Sequence, residues 1–167
     1  MEKKYMAIAA AVIVVIIAIV AIFATGIIST DSLMGQPPVE NKTFDFEGCT
    51  LELPETSAVL NLTGNEDQGV QSTFYLVTDN STNTTFTLAV GSGSNLVPTA
   101  NDYIANLASQ GYNVQKDGEY KGWTIVKDSD EDSYTYELVK VDGKAYVFSG
   151  DDLNQLKSIV DTFKKKD

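Results

Sequence analysis

The chain has no histidine and no arginine; all twelve of its basic residues are lysine. Without an imidazole, Ser-His-Asp and Cys-His catalysis are excluded, as are imidazole metal ligands. Without a guanidinium there is no planar fork for phosphate or carboxylate. Cys49 is the single cysteine, which excludes an internal disulfide and a thiolate metal cluster. It alternates with Leu51 and Leu53, so it reads as a core thiol rather than a nucleophile. A serine nucleophile would need a lysine base, and no S-x-x-K stands in a convincing context. No catalytic residue, cofactor or cofactor motif is expected.

Charge is missing from the start of the chain. Tyr5 to Ile28 is a run of 24 uncharged residues, mostly Ile, Val and Ala. At about 1.5 Å per residue a helix over it covers the roughly 30 Å of a bilayer core, and it is too long for an ordinary signal-peptide core. Residues 1–28 therefore read as a transmembrane signal-anchor. Lys3 and Lys4 precede the span and the next lysine is Lys42, which predicts a single-pass membrane protein with a cytoplasmic N-terminus and an extracytoplasmic C-terminal domain. The competing reading is a cleaved signal peptide, with Ala24-Thr25-Gly26 before the cut. It gives the domain the same address. No lipobox-like cysteine follows.

From Asp31 onward there are 22 acidic residues against 10 lysines, a net charge of −12. That opposes nucleic acid and anionic lipid as partners and suits cations, a basic surface or simple solubility. Residues 29–43, with Pro37-Pro38, read as a flexible linker. Residues 44–167 have the size of one domain with one core.

Alternation predicts strands at Phe44–Phe46 and Cys49–Leu53, joined by a turn at Glu47-Gly48, and a third at Ala58–Leu62 before a turn-rich stretch from Gly64 to Gly69. Ser72–Val77 and Thr85–Val90 predict a hairpin. A helix follows, capped by Thr99 and Asp102, with Ala100, Tyr103, Ile104, Leu107 and Ala108 on one face and Gly111 past its end. Four more strands carry type I′ signals at Asp117-Gly118 and Asp142-Gly143. A closing helix, capped by Ser149 or Asp151, has Leu153, Leu156, Ile159, Val160 and Phe163 on its apolar face and Lys164–Lys166 at its end. The economical arrangement is an α+β domain: a single antiparallel sheet packed with two helices.

The opening FDFEGCTLELP, the helix NDYIANLASQGY, the hairpin SYTYELVKVDGKAYVFSG and the ending LNQLKSIVDTFKK together resemble the PsbP-like domain of small membrane-anchored archaeal surface proteins. The resemblance implies an antiparallel sheet between helices and a non-catalytic accessory or binding role. It brings no functional residues to positions here.

Four N-x-[ST] sequons, at Asn41, Asn61, Asn80 and Asn83, are candidate N-glycosylation sites at an extracytoplasmic address. Asp128, Asp130 and Asp132 match the first half of a calcium loop, but Ser133 stands where Gly is needed and Val139 where a bidentate Glu is needed, so a solvated acidic hairpin tip competes. Trp123, Tyr134, Tyr136, Tyr146 and Phe148 line either a core or a ligand cleft. The favoured function is an anchored, non-catalytic binding or accessory domain for a protein or cell-envelope partner. The alternatives are a cation- or small-ligand-binding ectodomain and a carboxylate-dependent glycan hydrolase, which needs two buried acids in a cleft.

Overall fold

A computed structural model describes residues 40–67, 69–130 and 133–166. The expected span over residues 1–28 and most of the linker lie outside them. Among the described residues no helix is long and apolar enough to cross a membrane.

The chain opens with β1 (Asn41–Phe46) and β2 (Cys49–Pro54), so order begins before Phe44, inside the expected linker. The turn at Glu47-Gly48 pairs Phe46 with Cys49. Only glycine fits there: Gly48 has φ +73°, and a Cβ would lie 2.9 Å from the Tyr146 hydroxyl. A meander follows: β3 (Ser57–Asp67), β4 (Val70–Asp79) and β5 (Thr84–Gly93). β3 runs through most of the expected turn, absorbing Gly64 in a register shift between Leu62 and Asn65. Then come α1 (Ala100–Ser109), β6 (Val114–Tyr120), β7 (Trp123–Asp130), β8 (Ser133–Asp142), β9 (Lys144–Gly150), α2 (Leu153–Val160) and β10 (Lys164–Lys165).

The α+β class and the two helices are as expected, and every strand pair is antiparallel. The single sheet is not. Seven strands in the order β3-β4-β5-β9-β8-β7-β6 form one sheet, and β1, β2 and β10 form a second. The reason is the apolar side of the opening hairpin. Phe46, Cys49, Leu51 and Leu53 are all buried, which requires the hairpin to lie across a face of the large sheet rather than extend its edge.

That face carries Val77, Leu88, Trp123, Ile125, Leu138, Tyr146 and Phe148, and α2 closes it with Leu156, Ile159 and Val160. The opposite face carries Val126, Val139 and Val147 beneath Tyr103 and Leu107 of α1. Of the aromatic residues expected in core or cleft, Trp123, Tyr146 and Phe148 are core and Tyr136 packs half-buried against it; Phe163 stands edge-on to Trp123 at 5.1 Å and to Tyr146 at 5.0 Å. The Tyr134 side chain lies outside the described set.

Local corrections have local causes. Asp117-Gly118 is not a hairpin turn but a bulge within β6, with a register shift between Lys116 and Glu119. The reversal comes at Lys121-Gly122, where φ is +48° and +82° and Tyr120 pairs with Trp123, the pattern of a type I′ turn. Asp152, not Ser149 or Asp151, caps α2: its Oδ1 accepts from the Asn154 and Gln155 amides at 2.8 and 3.1 Å. The helix stops at Val160, and Lys164-Lys165 form a strand on β2 rather than a helix end. Thr162 makes that exit. Its hydroxyl donates to the Ile159 carbonyl at 2.9 Å and accepts from the Glu52 amide at 3.1 Å.

α1 follows the sequence closely. Thr99 accepts from the Asp102 amide. Gly111, at φ +94°, donates to Ala108 while Tyr112 donates to Leu107, a Schellman ending.

Candidate functional site

Three places hold chemistry, and they lie on different parts of the fold.

The first is an open cleft of about 390 Å³ where the end of β2, the start of β3, the β4–β5 turn and α2 meet. Glu52, Asp79 and Asp152 line it together with Asn41, Gln155, several hydroxyls and the apolar Leu53, Pro54, Phe86 and Ile159, and among the described residues no lysine does. Asp79 organises the β4–β5 turn. Its Oδ1 accepts from the Ser81 amide and hydroxyl at 2.9 and 2.7 Å and from the Thr56 hydroxyl at 2.9 Å; Oδ2 accepts from Thr82 at 2.8 Å. Partial burial opposes its charge, but these donors, Ser81 foremost, hold the carboxyl below its usual range. Asp152 uses one oxygen for its helix cap. Glu52 accepts from Thr43 at 2.7 Å and has Lys164 3.9 Å away. The cleft is a cavity of ligand size with acids around a largely apolar wall.

The second is a buried polar cluster under α1. Glu137 of β8 is 3% exposed and shares its face with Val139. Burial pushes its carboxyl up to about 7; the Tyr103 and Ser149 hydroxyls oppose the rise, and the charge of Asp128 adds to it. Ser149 reaches Oε1 at 3.5 Å. Tyr103 acts on the Glu137 carboxyl, yet neither the Tyr103 hydroxyl nor Oε2 completes a hydrogen bond of ordinary geometry. Glu137 is a protonatable group without a full set of partners, not part of a closed network. Glu137 is the one buried acid among the described residues, and it lies away from the cleft. The two buried acids that the hydrolase reading needs are therefore not brought together among these residues.

The third is the edge strand β3. Val59 and Leu60 are the exposed large hydrophobics of the described residues, at 38% and 54%. They point to opposite faces of the sheet.

The residues singled out in the sequence are dispersed. Asp128 lies in β7 and Asp130 ends it, paired with Ser133; Asp132 lies outside the described residues. Asp128 and Asp130 thus belong to an extended strand. Among the described residues no three acids or cysteines gather as a metal group. All four sequon asparagines are exposed: Asn41 in β1, Asn61 in β3, and Asn80 and Asn83 in the β4–β5 turn. Asn80 donates from its side-chain amide to the Thr56 carbonyl at 2.8 Å, and Asn83 holds φ +53°. Cys49 is fully buried, and burial raises its thiol to about 11, far from nucleophilic use.

Sequence reasoning missed Glu137, the cleft acids and the β3 edge. Glu137 had a weak signal: it falls in step with Val139 and Val141. The cleft had none, because its acids come from distant segments.

No protein-family model matches the chain, and no curated protein matches it. Among solved structures it is similar to the solution structure of cyanobacterial PsbP (CyanoP) from Synechocystis sp. PCC 6803. The two are 17% identical with a TM-score of 0.45, over 81% of this chain and 98% of that one. The likeness is one of coarse fold alone.

Proposed function

We propose that this chain is a membrane-anchored, extracytoplasmic domain that binds a protein of the cell envelope and performs no chemistry. The observation that carries the reading is the β3 edge. It is a long strand, hydrogen-bonded on one side only among the described residues, bearing Val59 and Leu60 exposed. Such an edge offers backbone donors and acceptors and apolar contacts to an added strand. The anchor over residues 1–28 supplies location, and the absence of histidine and arginine narrows the chemistry open to the domain.

The test is site-directed photo-cross-linking in native membranes. A photoreactive residue in place of Leu60 gives a discrete protein adduct, while one in place of the exposed Glu119 on the opposite edge gives none. Equal labelling from both positions would overturn the docking reading. Turnover of an envelope glycan by the pure chain, abolished by a carboxylate substitution, would overturn the non-catalytic part.

A second reading has its own observation: the acidic cleft suits a cation or a small polar ligand. Titration with calcium, followed by melting temperature, tests it. A rise lost in Asp152→Asn places the ligand in the cleft. A rise lost in Asp128→Asn places it at the hairpin tip instead. No rise with calcium removes calcium as the ligand.

A further inference from the structure

The large sheet has two edges, and among the described residues only one is protected. β6 carries Lys116, Asp117 and Glu119 on an exposed, bulged strand, features that keep foreign strands away. β3 has none of these charges from Ser57 to Asn65, nine residues in a row. On the α1 side of the sheet, Leu60 continues into the half-buried Leu62 and Leu76. On the other side Val59 lies beside Val77. An added strand would find apolar contacts on both faces.

The charge around this edge is one-sided. No lysine occurs between Lys42 and Lys116, and eight acidic residues do. The C-terminal half supplies counter-charges to the first three: Lys166 to Asp45 at 2.7 Å, Lys144 to Glu47 at 3.4 Å and Lys164 to Glu52 at 3.9 Å. Acids also stand at the two ends of β3. Glu55 is exposed just before the strand, Glu66 and Asp67 close it, and β3, β4 and β5 contain no lysine. The edge sequence is therefore an uncharged stretch, with Val59 and Leu60 exposed in it, between acids at each end.

Resting on the reading of β3 as a docking edge, we infer that its occupant is an extended apolar segment of another protein carrying basic residues at both ends. Charge complementarity selects this occupant over the others. A second copy pairing β3 against β3 in antiparallel fashion would set Glu55 of each chain near Glu66 and Asp67 of the other, like against like. An anionic lipid surface meets the same repulsion.

The test uses the full chain in nanodiscs of neutral lipid and three labelled peptides. One is an alternating Val/Thr strand flanked by lysines, one the same strand flanked by glutamates, and one the lysine form with a central proline. The lysine-flanked peptide binds about tenfold more tightly than the glutamate-flanked one, the sum of a few exposed charge pairs. The preference shrinks in high salt and in Glu55→Lys. The proline peptide does not bind, and Leu60→Lys or Val59→Lys abolishes binding. Equal affinity for both flanks, lost in Leu60→Lys, overturns the basic occupant and leaves the docking edge standing. No binding of any peptide, together with no cross-link from position 60, overturns both. A concentration-dependent dimer that Leu60→Lys abolishes makes the occupant a second copy and overturns the inference.

Discussion

Two residues show how single side chains set the behaviour of this domain. Glu137 is buried with its carboxyl raised to about 7 from an ordinary 4.5. The folded state therefore holds the proton more tightly than the unfolded chain does. Below the unfolded pKa both states are protonated and the shift costs nothing. As pH rises through the window from 4.5 to 7, stability falls, and above it the cost levels off at about 3 kcal/mol. Thermal melts across this window test the sign: the melting temperature declines with pH, and in Glu137→Gln this part of the slope disappears, so the variant is the more stable form at about pH 8. A wild-type slope retained in the variant would show that other groups carry it. Gly48 is the second residue. Gly48→Ala forces a Cβ to a left-handed φ and against the Tyr146 hydroxyl, which anchors the hairpin by donating to the Gly48 carbonyl at 2.9 Å. The expected loss is about 1–3 kcal/mol in denaturant unfolding; a neutral outcome would mean that the hairpin relaxes away from Tyr146 freely.

At the scale of elements, the decisive junction is the exit from α2. The apolar spacing Leu153, Leu156, Ile159, Val160 and Phe163 is continuous with a longer helix, and lysines at the end would suit its dipole. Thr162 redirects the chain instead, by bonding to both Ile159 and Glu52. Phe163 then enters the aromatic core from a turn, and Lys164-Lys165 pair with β2. Thr162→Val keeps the shape and removes the hydroxyl, leaving the Glu52 amide without that partner. It should cost about 1–2 kcal/mol and raise hydrogen exchange at β10 and β2 before the rest of the domain. Exchange that rises uniformly would mean that the junction is not a local unit. The β6–β7 hairpin makes the same point. Asp117-Gly118 and Lys121-Gly122 both suit a tight turn, and the second wins because it brings Tyr120 and Trp123 together beside the core.

For the whole molecule, charge and layering matter most. A net charge of −11 works against compactness through self-repulsion. The surface ion pairs, such as Lys121–Asp161 at 2.7 Å and Lys165–Asp142 at 2.9 Å, each contribute little in water. Screening should therefore relieve more than it removes, and added sodium chloride up to moderate ionic strength should raise the melting temperature. A fall would show that the ion pairs outweigh the repulsion. The layering gives the lysine pairs two positions: Lys166–Asp45 and Lys164–Glu52 lie within the small sheet, whereas Lys165–Asp142 and Lys144–Glu47 link it to the large one.

Much of this is legible without the fold, and the reason is local. Alternation in Cys49–Leu53 and Tyr134–Leu138, the capping of α1 by Thr99 and the glycine at 111 are decided within a few residues, by backbone sterics and nearest hydrogen bonds. The sequence also determined the function classes left open, since residues that are not there cannot act. What the sequence left undecided is whatever depends on distant partners. The opening hairpin forms its own sheet because only the aromatic face of the large sheet can bury Phe46 and Leu51. Glu137 is buried because α1 happens to lie over it. The cleft gathers Glu52, Asp79 and Asp152 from three remote segments. β3 is an edge of the large sheet because the order of the described strands puts it last. Local chemistry sets the elements, but the order in which they stack decides which side chains meet water, and with it where a partner can bind.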